Sequence, residues 1–225
     1  MSYRAFISYS HAVDGKLAPA VQSALHRLAK PWYKLRAVAV FRDKTSLAAN
    51  PALWKAIEAA LAQSDYFLLM ASPESARSPW VNREVQWWLD HRSVDRLLIL
   101  VTGGELVWAS HDRDFDWERT SALPPLLRGR FEDEPLYVDL RWARDENDLS
   151  LRHSRFRAVV LDVAAPLHQR PKDELDGEDV RQYRRTRQIA WAAGTSLAAL
   201  TVRWRDLCSP PRRSGRTWRS SPLKS

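Results

Sequence analysis

Residues 66–71 have the sequence Tyr-Phe-Leu-Leu-Met-Ala, a short run that is apolar on both of its faces. Such a run is typical of a central strand in a parallel sheet, because helices cover both faces of that kind of sheet. The dipeptide Ser78-Pro79 follows it. A capping serine before a proline at the first helical position predicts a helix, which ends near His91. Residues 66–91 are therefore predicted to form a buried strand and the helix after it.

Strands and helices are predicted to alternate on both sides of this pair. Further apolar runs predict buried strands at Tyr3–Ser8, Ala37–Phe41, Arg96–Thr102 and Leu136–Leu140. Apolar residues spaced three and four apart predict helices over residues 16–29, 50–63 and 151–167. This alternation through residue 166 predicts an α/β fold with an open, doubly wound sheet of five parallel strands, the fifth at an edge.

The loops that follow the strands are where a ligand is expected. Residues 9–15 are rich in turn-forming residues, and residues 105–134 are acidic and irregular apart from one short helix predicted near 123–127. In open parallel sheets, ligands bind at the carboxyl ends of the strands. The corresponding loops begin at Tyr9, Arg42, Ser72 and Gly103.

The net charge of +8 is concentrated in the C-terminal part of the chain. Residues 1–166 contain 22 basic and 21 acidic side chains, whereas residues 167–225 contain 13 and 6. A nearly neutral globular part gives no reason to predict nucleic-acid binding. The single cysteine, Cys208, excludes a disulfide framework, and the N-terminus shows no long apolar segment of a secretory signal. These features predict a cytoplasmic protein.

Three segments follow the last predicted helix, which closes a domain over residues 1–167. Residues 168–188 are polar and charged, as in a linker, and residues 189–202 are mostly apolar. That apolar segment is shorter than the roughly 20 residues of a transmembrane helix, although the basic run before it follows the positive-inside pattern. Residues 203–225 are predicted to be disordered. Membrane contact through a remnant of a membrane helix is the minority interpretation.

Several familiar catalytic patterns do not occur in the sequence. The six histidines form neither an HxxxH nor an HExxH pair, so no metal site is predicted. Ser8, Ser10 and His11 are close in sequence, but no GxSxG motif accompanies them, which argues against a serine hydrolase. None of the seven glycines belongs to a phosphate-binding glycine loop.

The helix that begins after Ser78 carries the most unusual pattern. Trp80 and Glu84 are one helical turn apart, and either Trp87 or Trp88 continues that face. A carboxylate beside an indole at the ligand-binding edge can act on a substrate or hold an aromatic or cationic ligand. The alternative is that Glu84 is a solvated surface residue, as most helical glutamates are. Spacing alone leaves both interpretations open.

Three segments, in matching order and spacing, resemble the TIR (Toll/interleukin-1 receptor) domain family. The first resembles its first strand and loop, the second its second strand and BB loop, and the third its third strand and helix C. These segments are Ala-Phe-Ile-Ser-Tyr-Ser-His at 5–11 followed by Asp14, Phe-Arg-Asp at 41–43, and Tyr-Phe-Leu-Leu-Met-Ala at 66–71 followed by Trp80 and Glu84. The resemblance covers residues 1–166 and implies a flavodoxin-like three-layer fold with a five-stranded parallel sheet.

The resemblance implies one of two functions. Many bacterial, plant and some animal TIR domains cleave the nicotinamide–ribose bond of NAD⁺ with a glutamate of helix C, a position that Glu84 matches. Others are non-enzymatic scaffolds that act by TIR–TIR association in signal transduction. The match of Glu84 favours an NAD⁺ hydrolase or cyclase of signalling or defence, with NAD⁺ as substrate and no cofactor.

In the enzymatic interpretation, side chains near Glu84 have supporting roles. The hydroxyl groups of Ser8, Tyr9 and Ser10 line the substrate edge or, with equal weight, stabilise the loop. Trp80 stacks on an adenine or nicotinamide ring or packs against a helix. If these side chains contact the substrate, they form a substrate-binding surface at the end of the first strand.

The loop after the second strand is the second part of the predicted substrate site. Arg42 and Lys44 face the pyrophosphate of NAD⁺, unless they are ordinary exposed loop charges. The family resemblance also implies that the BB loop of one protomer helps to complete the site of a neighbour. Such head-to-tail contacts are heterologous and form homo-oligomers that can grow into filaments.

Overall fold

Five parallel strands form the central sheet of the described part of the chain. The computed structural model describes residues 2–28, 38–42 and 53–176. The strands are β1 (Tyr3–Ser8), β2 (Val40–Arg42), β3 (Ser64–Ala71), β4 (Leu97–Val101), β5 (Trp108–Ala109), β6 (Asp114–Phe115) and β7 (Tyr137–Asp139). The sheet has the order β2-β1-β3-β4-β7, and every pair in it is parallel. The predicted α/β fold, with its last strand at an edge, is confirmed.

Helices cover both faces of this sheet. They are α1 (His11–Asp14), α2 (Leu17–Arg27), α3 (Leu53–Ala62), α4 (Pro73–Arg77), α5 (Pro79–His91) and α6 (Ser154–His168), with 3₁₀ turns at Val94–Arg96, Pro125–Leu127 and Arg141–Arg144. Helices α2 and α6 pack on one face, and α3 and α5 pack on the other. Each central strand is therefore buried between two helical layers, as its apolar sequence predicts.

Side-chain alternation along β1 divides the site residues between the two faces. Ala5 and Ile7 belong to the apolar cluster of α2 and α6, whereas Phe6 belongs to the cluster of α3 and α5. Because successive strand residues point to opposite faces, Ser8 follows Phe6 toward α5. Tyr9 follows Ile7 and is part of the α2/α6 cluster.

Three short elements differ from the sequence interpretation. Helix α1 lies within residues 9–15, which were predicted to be a loop, and the β5–β6 hairpin lies within residues 105–134, predicted to be irregular. Helix α4 begins with a capping box in which Ser72 Oγ accepts a hydrogen bond of 3.1 Å from the Ser75 N–H. Elements of two to five residues have too few positions to show a period. The predicted short helix near 123–127 is present as a 3₁₀ turn.

Strand β2 begins later in the structure than in the sequence interpretation, and the predicted start of α3 is not among the described residues. Strand β2 begins at Val40 rather than Ala37, and Leu53 is the first described residue of α3. Ala37 and the capping pair Asn50-Pro51 lie outside the described residues. Boundary shifts of a few residues are ordinary, because element ends lack the repeated signal of their interiors.

Packing continues past the last residue of α6. Leu175 is buried in the same cluster as Leu167, and Arg157 forms an ion pair of 2.7 Å with Asp176. The predicted domain boundary at residue 167 stays a prediction. The apolar segment 189–202, the tail 203–225 and most of the linker lie outside the described residues. No helix in the described ranges has the length and apolar character needed to cross a membrane.

A glycine directly after β4 is required by backbone geometry and by close packing. Gly104 has a φ of 73°, and a Cβ atom there would lie 2.7 Å from Ser121 Oγ and 2.8 Å from Pro73. Gly129 has a similar φ of 64° but no atom within 4 Å of such a Cβ. The two glycines therefore separate the cost of strain from the cost of crowding.

We expect Gly104→Ala to be more destabilising than Gly129→Ala. In both variants the left-handed backbone lowers the free energy of unfolding by about 1–2 kcal/mol. Overpacking lowers it by about 1–3 kcal/mol more in Gly104→Ala. Urea unfolding of the full chain measures both free energies. Equal losses in the two variants would show that Ser121 and Pro73 move aside without cost.

Candidate active site

Glu84 lies on the buried face of α5. The helix begins at Pro79, and Ser78 Oγ accepts a hydrogen bond of 3.4 Å from the Val81 N–H, as the capping pattern predicts. The other buried positions of α5 are Val81, Val85 and Trp88, which pack toward the sheet. Glu84 itself is only 5% exposed. The alternative of a solvated surface glutamate is therefore wrong for this residue.

Ser8 and Glu84 form a buried hydrogen bond between the end of β1 and the middle of α5. Ser8 Oγ donates to Glu84 Oε2 at 2.5 Å, and Ser8 is 1% exposed. A buried polar group without partners is costly, and a hydrogen bond to an ionised group is worth about twice a neutral one. The Ser8 hydroxyl therefore binds the Glu84 carboxylate, a role in addition to the two predicted for it, and its contact with a substrate stays a prediction.

Tyr9 and Arg42 meet on the opposite side of β1. Arg42 Nη1 donates to Tyr9 Oη at 2.9 Å, and Arg42 Nε donates to Gln22 Oε1 of α2 at 3.1 Å. The Tyr9 ring stacks on His11 with its centroid 4.4 Å away. Arg42 is thus held by α2 and by the loop after β1. Its predicted contact with a pyrophosphate uses the guanidinium N–H groups outside these two bonds and stays a prediction.

Ser10 and Lys44 are two further residues that the sequence predicts to bind the substrate. Ser10 is buried at the N-cap of α1, where its carbonyl accepts a hydrogen bond of 2.9 Å from the Asp14 N–H. Ser10 therefore helps to form the loop after β1, while its contact with a substrate remains a prediction. Lys44 lies outside the described residues.

Trp80 lies in the first turn of α5 but outside its buried face. Its side chain is 49% exposed, with its ring centroid 6.4 Å from that of Trp54 in α3. The Arg83 guanidinium covers the Trp54 ring at 3.7 Å. Trp88 is the tryptophan that shares the buried face with Glu84, and it packs on Phe67. An aromatic ring of Trp80 therefore stands at the surface one turn before the buried carboxylate.

A second group of polar side chains at this edge was not predicted from the sequence. Asp14 is fully buried, and Arg144 Nη2 lies 3.6 Å from its Oδ1 and 3.8 Å from Glu74 Oε2. Burial raises the pKa of Asp14 above its ordinary value, and the nearby Thr102 hydroxyl and Arg144 guanidinium offset this only in part. In the sequence, Asp14 stands out only as part of the first segment that resembles the family. Asp14, Glu74 and Arg144 lie in the connections that follow strands, and this placement is the one feature of the sequence that could have indicated the group.

The sheet order and the buried carboxylate define the class of protein. The order β2-β1-β3-β4-β7 is that of a flavodoxin-like sheet, in which ligands bind at the carboxyl ends of the strands. Ser8 lies at the carboxyl end of β1, where it meets Glu84 of α5. The TIR domain family matches residues 5–121, so this chain belongs to the TIR domain family. Both members of the Ser8–Glu84 hydrogen bond lie inside the matched segment.

One curated relative is similar along most of the chain. The NAD(+) hydrolase ApTIR of an Actinoplanes species is 54% identical over 213 residues, which are 92% of this chain and 30% of that protein. The chain therefore spans about a third of the length of the relative.

Proposed function

We propose that this chain is a TIR-domain NAD⁺ hydrolase that cleaves the nicotinamide–ribose bond, with Glu84 as its catalytic residue. The observation that carries the proposal is the Glu84 carboxylate, buried at the carboxyl edge of the sheet and held by Ser8 at 2.5 Å. The similarity to a protein named as an NAD(+) hydrolase supports it. A buried carboxylate at the ligand-binding edge of such a sheet is a candidate for an active-site residue.

The reaction suits a site with one carboxylate. Nicotinamide leaves as a neutral ring from a cationic precursor, so its departure requires no general acid. The ribose then carries positive charge in an oxocarbenium-like transition state, which a fixed carboxylate near the ribose hydroxyls stabilises. Because Glu84 is shielded from water, its interaction with that charge is stronger than at an exposed position. The scheme uses NAD⁺ as substrate and requires no cofactor.

The other predicted residues fit around this centre as a substrate surface. The exposed indole of Trp80 is available for stacking on an adenine or nicotinamide ring. Arg42 and Lys44 serve the pyrophosphate, and Tyr9 and Ser10 shape the loop beside it. The product is ADP-ribose, linear when water attacks the ribose and cyclic when the adenine does.

We place this activity in a cytoplasmic signalling or defence response that depends on TIR–TIR association. The carboxyl edge of the sheet is a place where a second protomer can contribute to the site. Head-to-tail contacts of this kind are heterologous and allow assemblies larger than dimers. Nucleic acid is no part of the proposal, because the part of the chain before residue 167 is nearly neutral.

Incubation of the concentrated full chain with NAD⁺ tests the proposal. We expect nicotinamide to appear in an amount equal to the sum of linear and cyclic ADP-ribose, and both amounts to increase in proportion to time without added metal. Chromatography of the mixture resolves nicotinamide from both linear and cyclic products. A chain that self-associates but releases no nicotinamide over the whole concentration range would instead be a TIR scaffold.

A further inference from the structure

Four side chains from four different connections meet at the carboxyl edge of the sheet. Asp14 belongs to α1 after β1, Glu74 to α4 after β3, Thr102 follows β4, and Arg144 belongs to the 3₁₀ turn after β7. Arg144 Nη2 lies 3.6 Å from Asp14 Oδ1 and 3.8 Å from Glu74 Oε2. Both separations exceed hydrogen-bonding distance, so Arg144 acts on the two carboxylates through its charge.

The Arg144 guanidinium packs closely on the backbone at Gly103. A Cβ atom at Gly103 would lie 2.9 Å from Arg144 Nη1. The guanidinium therefore packs directly on the chain where the central strand β4 ends. Its side chain is largely buried, and Asp14 is completely buried. A charge enclosed in this way is screened little by solvent or salt.

The two carboxylates belong to elements that adjoin Ser8 and Glu84. On one side, α1 starts three residues after Ser8, and the Asp14 N–H donates to the Ser10 carbonyl at 2.9 Å. On the other side, α4 continues into α5, because Ser78 ends the first helix and caps the second. The Asn82 side chain joins the two helices by donating to the Ala76 carbonyl at 2.8 Å.

We infer that Arg144 is a positioning residue for Glu84. Its charge holds α1 and α4 together, and through them it keeps Ser8 and the carboxylate of Glu84 in register. The inference rests on the proposed function and extends the site to a residue beyond the segment that the family matches, which ends at residue 121. In this proposal Arg144 acts through Asp14 and Glu74 and not through a contact with the substrate.

Removal of the Arg144 charge creates a specific electrostatic conflict. Asp14 and Glu74 then face each other without a cation, and two carboxylates that share a site repel. The conflict is relieved when Asp14 is neutral, either by substitution or by protonation at lower pH. Arg144 and Glu74 are the charged groups that act on Asp14, together with the Thr102 hydroxyl.

Kinetics of nicotinamide release by the full chain test this inference. We expect Arg144→Gln to lower kcat at neutral pH by about 10- to 100-fold, with KM changed by less than about twofold. We expect the double variant Asp14→Asn/Arg144→Gln to regain most of that loss. The activity of Arg144→Gln relative to wild type should rise as the pH falls, because Asp14 takes up a proton.

Arg141→Gln is the matched control. Arg141 lies in the same 3₁₀ turn, forms an ion pair of 2.8 Å with Asp139 and donates a hydrogen bond of 3.2 Å to the Gly104 carbonyl. We expect its kcat to stay close to that of wild type. The difference between the two arginine variants then reports the position of the charge, and not the loss of any arginine from this turn.

Three results would overturn the inference. They are an unchanged kcat in Arg144→Gln, a loss that persists undiminished in the double variant, and a parallel pH profile in wild type and variant. Where Arg144→Gln does not fold, an active double variant supports the inference and an inactive or unfolded one overturns it. A wild-type chain that releases no nicotinamide removes the proposed function itself, an outcome distinct from these.

Discussion

Glu84→Gln reduces nicotinamide release by at least about 10²- to 10³-fold, if the buried carboxylate stabilises the charge on the ribose. The substitution keeps the shape of the side chain and removes its negative charge. The amide oxygen still accepts a hydrogen bond from Ser8, which the carboxylate accepts at 2.5 Å. We therefore expect the site to keep its structure while it loses its chemistry.

The stability of that variant follows from burial. Substitutions at exposed helical positions usually change the free energy of unfolding very little. Glu84 is only 5% exposed, so its substitution has to be judged from its buried contacts. The loss of a charge-assisted hydrogen bond is balanced by the lower cost of burying a neutral amide. We expect the free energy of unfolding to change by less than about 1.5 kcal/mol.

Asp90→Asn is the control for this experiment. It makes the same carboxylate-to-amide change on the same helix, but Asp90 is exposed and accepts a hydrogen bond from Gln86. Its turnover should equal that of wild type. Turnover retained in Glu84→Gln removes Glu84 from the mechanism, and loss of folding in Glu84→Gln makes the residue structural.

Local patterns were sufficient to predict the elements that carry the site. The sequence of β3 contains a run of apolar residues that covers both faces of the strand. Helix α5 begins at a capping serine followed by a proline. Each signal lies within a few residues of the element it predicts, so it does not depend on the rest of the fold. The edge of the sheet where the site lies follows from topology alone.

Contacts between distant segments could not be predicted in the same way. Ser8 and Glu84 are 76 residues apart, and their hydrogen bond depends on how β1 pairs with β3 and on which face of α5 packs inward. The shared face of Trp80 and Glu84 was predicted from spacing, yet only Glu84 is buried. The sequence assigns no role to the segment that contains Arg144, because no local pattern indicates that Arg144 lies near Asp14 in the fold.

The second large effect on turnover is expected from association of protomers. In this prediction, a neighbouring protomer supplies the loop after β2 to the site. The exposed indole of Trp80 stands at the carboxyl edge of the sheet, one turn of α5 before Glu84. Residues 43–50, which follow Arg42, lie outside the described residues and contain Lys44 at their start and Leu47-Ala48-Ala49 further on. We propose that this loop closes the site of the next protomer and excludes water from it.

Activity should then depend on protein concentration and on which protomer carries which substitution. We expect specific activity to rise with concentration as protomers associate. Lys44→Glu should suppress turnover without unfolding the chain, because it reverses a charge in the lent loop and leaves the described core unchanged. Specific activity that stays constant across about a hundredfold dilution would indicate a self-sufficient monomer.

Mixing Lys44→Glu with Glu84→Gln separates a lent loop from a loop used in cis. Each variant alone is inactive, but in a head-to-tail pair one protomer contributes an intact loop and the other an intact glutamate. With random pairing in an equal mixture, about a quarter of the sites contain both, because heterologous contacts are directional. We therefore expect the mixture to recover about a quarter of wild-type turnover. A mixture as inactive as its two components shows that the loop and Glu84 must belong to the same chain, in which case association would regulate the site without completing it.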